Sequence, residues 1–600
     1  MYDVIIKAGG RIYKIQAEQG QNLMHLIRKA NININSICNG NGTCGKCKVR
    51  ILSGYLPDAS ENELARLGSD AVEAGFRFSC SYSIVSDIEV LLENSSVQAQ
   101  IVTEGRHRTT TLLPIVSKEN VILQKPDLSC QKADFERVTG NASSMELQNI
   151  QLLRMIPELI RESGYNITLV KAGTHLLGVE AGNTIDNLYG AAFDIGTTTI
   201  AAYLFKFTDG KRLCVHSDLN PQRIFGADII SRIKHTIDEK DGLQEMHTLI
   251  INEINSCINA MCEKANIERT GIYAVTFAGN TTMLHFLLNI SASNIASAPF
   301  IPAVTSMLNI GAKELGIEIN ACGIACVLPS VSAYIGADTV GAVLSTGMYR
   351  QEEISLLIDI GTNGEIVLGN NDNLYACSSA AGPAFEGAGI RNGIGSVEGA
   401  ITGISLHSGI QITTIGDTSP IGICGTGIVD AAAQMLETGL IDETGRFNEN
   451  WQPTSEENSC IAERLSVIDG IKALQISRDI AITQKDIREL QNAKAAIAAG
   501  INVLVKQAGI SFDDIKNVYL AGGFGTHINI ESAIRIGLIP SQLKGRIQSV
   551  GNAAGQGAIE CLLSGGSLSE ANDISKKIKY IELSACSDFN DLYIDCMMFE

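Results

Sequence analysis

Apolar and polar residues alternate over residues 2–7 and again over 11–17, on either side of Gly9 and Gly10, and this period of two predicts a β-hairpin. Residues 22–30 suit a short helix, and 46–52 and 87–92 suit later strands. The periodicity then lapses. Residues 93–124 carry Asn94-Ser95-Ser96, Gly105-Arg106-His107-Arg108 and Thr109-Thr110-Thr111, which reads as a linker. A helix over about 145–163 and short strands over 167–171 and 176–180 predict a small intermediate domain across 125–188. Farther on, Thr483-x-x-Asp486 reads as a capping box, and Ile487, Leu490, Ile497, Ile501 and Leu504 share one face of the helix that follows. Lys494 on that helix is expected to be exposed to solvent.

Composition raises the scale of the fold. The chain has 600 residues, 58 of them Gly, with only 5% aromatic residues, a profile suited to several α+β and α/β domains with many tight turns. Its 46 basic against 65 acidic residues leave a net charge of -19, so no basic footprint for nucleic acid is present. Met1-Tyr2-Asp3 runs straight into strand-like sequence, and no signal peptide is expected. The longest uncharged stretch, 319–337, is broken by Asn320, Pro329, Ser330 and Ser332, so a buried strand and turn are expected there and no membrane partner. Cysteine is abundant at 16 residues, which suits a reducing, anaerobic cytoplasm and a cytoplasmic protein.

Four of those cysteines form a pattern. Cys38, Cys44, Cys47 and Cys80 are separated by five, two and thirty-two residues, a spacing that reads as the ligand set of a 2Fe-2S cluster. The intervening Asn39-Gly40-Asn41-Gly42-Thr43 and Gly45-Lys46 supply small residues for a tight loop. Cys44-x-x-Cys47 is also a zinc-ligand spacing, but a zinc ribbon would normally offer a second close pair. The surroundings resemble the β-grasp 2Fe-2S ferredoxins, with a first gap closer to the adrenodoxin branch. That resemblance implies an electron-transfer domain over 1–92.

A second pattern is repeated. Ala191-Ala192-Phe193-Asp194-Ile195-Gly196-Thr197-Thr198-Thr199 and Leu356-Leu357-Ile358-Asp359-Ile360-Gly361-Thr362-Asn363-Gly364 are each an apolar strand, an acid and a glycine turn. Turn N–H groups and hydroxyls can hold phosphate, and the carboxylate can order a hydrated Mg2+. Val518-Tyr519-Leu520-Ala521-Gly522-Gly523 is a strand running into paired glycines, and Gly425-Thr426-Gly427 reads either as a helix start aimed at phosphate or as a tight strand-to-helix turn.

From about 189 to 565 the chain resembles the actin, hexokinase and Hsp70 superfamily of two-lobed ATPases. The resemblance implies a domain over 189–600 with lobes beginning near 189 and 354, and ATP as ligand. By motif position it places Asp194, Gly196, Thr197 and Thr198 in the first phosphate loop, Asp359, Gly361, Thr362 and Asn363 in the second, and Gly522 and Gly523 in the adenosine loop. The joined ferredoxin and ATPase resemble the reductive activators of corrinoid-dependent enzymes, also through Gly279-Asn280-Thr281-Thr282-Met283, Gly336-Ala337-Asp338, Ala381-Gly382-Pro383-Ala384-Phe385-Glu386-Gly387 and Gly551-Asn552-Ala553-Ala554-Gly555. This implies ATP-dependent one-electron reduction of a Co(II) corrinoid protein of a methyltransferase system, fed by a low-potential electron donor, with a homodimer left open. A nucleotide-binding redox sensor without turnover and an activator of a non-corrinoid enzyme remain as alternatives. A small-molecule kinase is disfavoured, because Ile200-Ala201-Ala202 after the first loop lacks the basic residue of sugar kinases.

Overall fold

The computed structural model describes residues 1–600 except 9, 31, 33, 35–44, 46, 93–101, 107–110, 141–145, 148–149, 227, 408 and 453–458. The predicted N-terminal hairpin forms as Tyr2–Ala8 paired antiparallel with Arg11–Ala17. The strand Ile88–Leu92 lies parallel to Tyr2–Ala8, and Lys48–Ser53 and Phe76–Phe78 complete a five-stranded mixed sheet. Asn22 caps the helix Leu23–Lys29 by accepting from the His25 N–H, and the helix buries Leu23, Met24, Leu26 and Ile27 against the sheet's Val4, Ile6, Val49 and Val90. A helix held across a mixed sheet in this way is the β-grasp ferredoxin arrangement.

The intermediate region has its own core. Asn166–Ala172 and His175–Ala181 form a hairpin extended by Ser117–Ile122 and Glu146–Leu147, and the helix Ile150–Glu162 buries Leu152, Ile156 and Ile160 on it. Ser117–Ile122 lies inside the segment read as linker. It is a sheet edge whose only apolar residues are the adjacent Val121 and Ile122, so it has no apolar alternation to detect. Part of the helix predicted over 145–163 falls on residues outside the described set.

The remainder contains two six-stranded sheets built to one plan. In the first, Tyr189–Ile195 pairs antiparallel with Thr199–Lys206 and parallel with Ile272–Gly279. In the second, Ile354–Ile360 pairs antiparallel with Gly364–Gly369 and parallel with Ile515–Ala521. Both strands preceding the glycine turns are almost wholly buried, which is why they read as continuous apolar runs. The uncharged stretch 319–337 supplies the buried strand Ile324–Val327 and leads into the helix Ala337–Thr346. The chain changes lobe at Asn552. The strand Ile547–Gly551 belongs to the second sheet, whereas the helix Ala553–Leu563 packs on Tyr189–Ile195 and Ile272–Gly279 of the first. Among the described residues no helix is long and apolar enough to cross a membrane.

The capping box forms as read: Thr483 and Asp486 bond reciprocally at the start of the helix Gln484–Ala508. Lys494 corrects its expectation, since it is 1% exposed. Its ammonium donates to the Met598 carbonyl and lies over the Phe599 ring, 5.5 Å from the centroid. Burial pushes its pKa down to about 8. The chain's last residues fold back over this helix and supply the acceptor that makes burial tolerable.

Candidate active site

The two glycine turns face each other across a cavity of about 1460 Å³. Its lining includes Asp194, Gly196, Thr197 and Thr198 from one loop and Asp359, Gly361, Thr362 and Asn363 from the other. Each turn is closed by a backbone bond, Gly196 N–H to the Thr199 carbonyl at 2.9 Å and Gly361 N–H to the Asn363 carbonyl at 2.9 Å. The first loop is fastened from behind. Asn220 donates to the Gly196 carbonyl at 2.8 Å, Asn280 to Thr197 Oγ1 at 3.1 Å, and the fully buried Arg232 to the Thr197 carbonyl at 2.5 Å. The Gly196 and Thr197 carbonyls are thereby occupied, and Thr197, Thr198 and Thr362 line the cavity.

Five of the acids that line the cavity are pushed above the ordinary carboxylate range, and the sequence patterns assign roles to only two of them. Burial pushes Asp194 up to about 7, against the opposing hydrogen bond from Asn552. Burial also raises Asp359 to about 7, helped by the charges of Asp338 and Asp194, and lifts Asp338 to about 6. Glu365 is raised well above the ordinary carboxylate range by burial and by Asp338 and Asp359. Glu386 is raised by burial and drawn back by hydroxyls from both loops, Thr362 and Thr198, and by Arg232. Thr362 Oγ1 donates to Glu386 Oε1 at 2.9 Å. Acids buried this close together are held toward their protonated forms, and among the described residues no three of them stand close enough to hold a metal ion as the side chains are placed.

Glu365 stands directly across the hairpin from Asp359, a pairing available only in the second loop, because Asp194 faces Ala201 in the first. The signal was present in the sequence as a glutamate six residues after the aspartate, visible only once the turn length is known. Asp338 and Glu386 lie inside quoted glycine-rich strings without having been assigned a role.

The other predicted glycines divide by function. Gly522 has φ +78°, and a Cβ there would lie 2.6 Å from Asp359 Oδ1, so the carboxylate and the turn need the missing side chain. Gly523 is exposed and its position is open apart from Val102 at 3.7 Å. Gly425 and Thr426 line the cavity at the start of the helix Gly425–Glu437. A Cβ at Gly425 would meet the Phe385 carbonyl at 2.0 Å and one at Gly427 the Ile401 carbonyl at 2.2 Å, so both glycines permit close packing of that helix. The lining does not include Gly427. His527 is exposed and lines the cavity.

Cys38 and Cys44 lie outside the described residues. Cys47 and Cys80 are brought to one end of the strand pair Lys48–Ser53 and Phe76–Phe78, where Ser79 N–H donates to the Cys47 carbonyl at 2.9 Å and Asn22 donates to the Cys80 carbonyl at 2.8 Å. Cys47 and Cys80 thus stand at the same end of the strand pair, as two ligands of one cluster would. Gly45, Lys48 and Phe76 from this end also line the large cavity.

Family models cover the chain in four segments. Residues 6–84 match the 2Fe-2S iron-sulfur cluster binding domain, 105–186 the RACo linker region, 189–351 the RACo middle region, and 353–600 the C-terminal domain of RACo, the ASKHA domain. The corrinoid activation enzyme RamQ of Eubacterium limosum is 31% identical over 582 residues, 94% of each chain. The [Co(II) methylated amine-specific corrinoid protein] reductase of Methanosarcina barkeri is 26% identical over 444 residues, 68% of this chain and 76% of the relative. A solved reductive activator for corrinoid,iron-sulfur protein superposes with a TM-score of 0.73 at 31% identity, covering 100% of this chain and 98% of that one. With matching domains in the same order and near full-length coverage at this identity, the chain belongs to the RACo family of corrinoid activators.

Proposed function

We propose that this protein carries out ATP-dependent one-electron reduction of a corrinoid protein, returning cobalt from Co(II) to Co(I). The observation that carries the reading is the full-length match to a corrinoid activation enzyme, joined to a cavity where the twin loops meet. Cys38, Cys44, Cys47 and Cys80 would hold the 2Fe-2S cluster, which supplies a one-electron carrier when bound. The loop N–H groups and hydroxyls of Thr197, Thr198 and Thr362 would bind polyphosphate, and Asp194 and Asp359 would face a hydrated Mg2+. Gly522 and Gly523 would let the backbone approach the nucleoside.

ATP has a thermodynamic use here. An uphill gap of about 0.2 V corresponds to roughly 3 to 4 decades in equilibrium constant for one electron, at about 59 mV per decade. A ligand that distinguishes two conformations by about 5.5 kcal/mol moves a population from 1:99 to 99:1. Closure of the lobes on nucleotide is therefore large enough to favour the docked, reducible corrinoid. The electron balance is one electron from a low-potential donor to one Co(II), giving one Co(I). We place the protein in the cytoplasm, where the 12 cysteines beyond the ligand set stay reduced.

The test mixes a cognate corrinoid protein held as Co(II) with this protein, a low-potential donor and ATP-Mg2+, and follows Co(I) by its absorbance. Co(I) should appear only in the complete mixture, and corrinoid protein should stimulate ATP hydrolysis, since the two binding events are linked reciprocally. Equal Co(I) formation without ATP, with no effect of several corrinoid proteins on the ATPase rate, would overturn the proposal.

A further inference from the structure

The segment that leaves the ferredoxin domain is fastened to the nucleotide site itself. Residues 102–106 run along the 550–552 edge: Asn552 N–H donates to the Glu104 carbonyl at 2.9 Å, Arg106 N–H donates to the Val550 carbonyl at 3.1 Å, and Gly105 forms a bridge with Gly551. Arg212 holds the Glu104 carboxylate with both guanidinium nitrogens, at 3.0 and 2.9 Å. The fit leaves no room for side chains. A Cβ at Gly105 would lie 2.6 Å from the Asn552 carbonyl oxygen.

Beneath this strap the hydrogen bonds continue inward. Tyr203, fully buried, donates its hydroxyl to the Thr103 carbonyl at 2.8 Å. Asn552 Nδ2 donates to Tyr203 at 3.3 Å and to Asp194 Oδ2 at 2.9 Å. The amide has no freedom to turn over, because Asn552 Oδ1 already accepts from Gly555 N–H at 2.7 Å. Both hydrogens of one amide are thus divided between the first-loop carboxylate and the phenol that holds the strap. Burial keeps that phenol protonated, so it remains a donor to the strap.

We propose that Tyr203 and Asn552 are positioning residues that couple the state of Asp194 to the strap 102–106, and through it to the placement of the ferredoxin domain. When a cation and nucleotide engage Asp194, the Asn552 amide and Tyr203 shift with it, and the bonds that Asn552 N–H and Tyr203 O–H donate to the strap's Glu104 and Thr103 carbonyls loosen or tighten together. The inference rests on the nucleotide reading of the twin loops. It adds that ATP acts on the electron carrier's tether.

Hydrogen exchange on the full chain, with and without ATP-Mg2+, tests it by reporting the loops at 194–199 and 359–364 separately from the strap at 102–106. The expected result is slower exchange in both loops and at least a fivefold nucleotide-dependent change in the strap. Gly105→Val, whose Cβ would meet the Asn552 carbonyl and displace the strap, should abolish the strap's response while nucleotide still protects both loops. Tyr203→Phe should weaken the response and lower ATP-driven Co(II) reduction more than ATP hydrolysis. Protected loops with an unresponsive strap in the native chain would overturn the coupling alone. Absence of nucleotide protection in the loops would overturn the nucleotide reading and the coupling with it. If Gly105→Val does not fold, Tyr203→Phe with an unchanged strap response overturns the proposal.

Discussion

Gly522→Ala is the sharpest test of the cavity's construction, because its neighbour Gly523→Ala should behave in the opposite way. At Gly522 the backbone has φ +78°, and a left-handed conformation costs a residue with a Cβ roughly 1–2 kcal/mol. The new Cβ would also lie 2.6 Å from Asp359 Oδ1, and overpacking of this kind costs about 1–3 kcal/mol. Together the strain amounts to roughly 2–5 kcal/mol, released either by unfolding or by pushing Asp359 aside. If all of it fell on the cation and nucleotide site, affinity would drop by roughly 30-fold to several thousand-fold, at about 1.4 kcal/mol per tenfold. At Gly523 the nearest atom to an added Cβ is Val102 Cγ2 at 3.7 Å, an ordinary contact, so stability without nucleotide should stay within about 0.5 kcal/mol. Denaturant unfolding without nucleotide, followed by the shift in melting temperature on adding ATP-Mg2+, separates the two effects. The reasoning fails if Gly522→Ala matches the native protein in both measurements, or if the two substitutions lower nucleotide-free stability equally.

If nucleotide and Mg2+ bind at the raised acids as proposed, their binding depends on pH. Asp194 and Asp359 near 7 and Asp338 near 6 hold protons that the unfolded chain would release near pH 4, so the nucleotide-free protein should lose stability as pH rises from about 4 through 7. ATP-Mg2+ favours the ionised acids, so its binding should tighten from pH 5.5 to 7.5 and release protons at pH 6.5. Calorimetry in buffers of different ionisation enthalpy measures the release, and net proton uptake would contradict the assignment. Asp359→Asn should impair Mg2+-dependent ATP hydrolysis and leave the ferredoxin spectrum unchanged, because Cys47 and Cys80 belong to a separate core. Cys47→Ser should remove or strongly perturb the 2Fe-2S signal in anaerobically prepared protein, and stoichiometric zinc in place of iron in the native protein would refute the cluster.

Much of the architecture was legible because it is written in local periodicity. The hairpin over 2–17 and the helix beginning after Thr483 fall where alternation and capping put them, and the twin loops announce themselves by an aspartate at the end of an apolar run. The rest depends on pairings distant in sequence. Ser117–Ile122 is polar on most positions and becomes a strand only because Asn166–Ala172 offers it an edge. Lys494 sits between Leu490 and Ile497 on the buried face, a position that helical spacing indicated and residue type opposed. Its resolution lay about a hundred residues away, at the Met598 carbonyl. Asp338, Glu365 and Glu386 were individually unremarkable acids until the two sheets faced each other.

The change of lobe at Asn552 gives the molecule a mechanical character. If the two sheets close on nucleotide by turning about the chain's crossing at Asn552, a strap anchored at that crossing rotates with little travel. Such an anchorage need not stretch when the jaws move. It turns instead, and whatever hangs from its free end swings through an arc that grows with distance from the axis. The same hinge geometry means that a small change at Asp194 can be read out as a large displacement elsewhere, as the tip of a lever outruns its fulcrum.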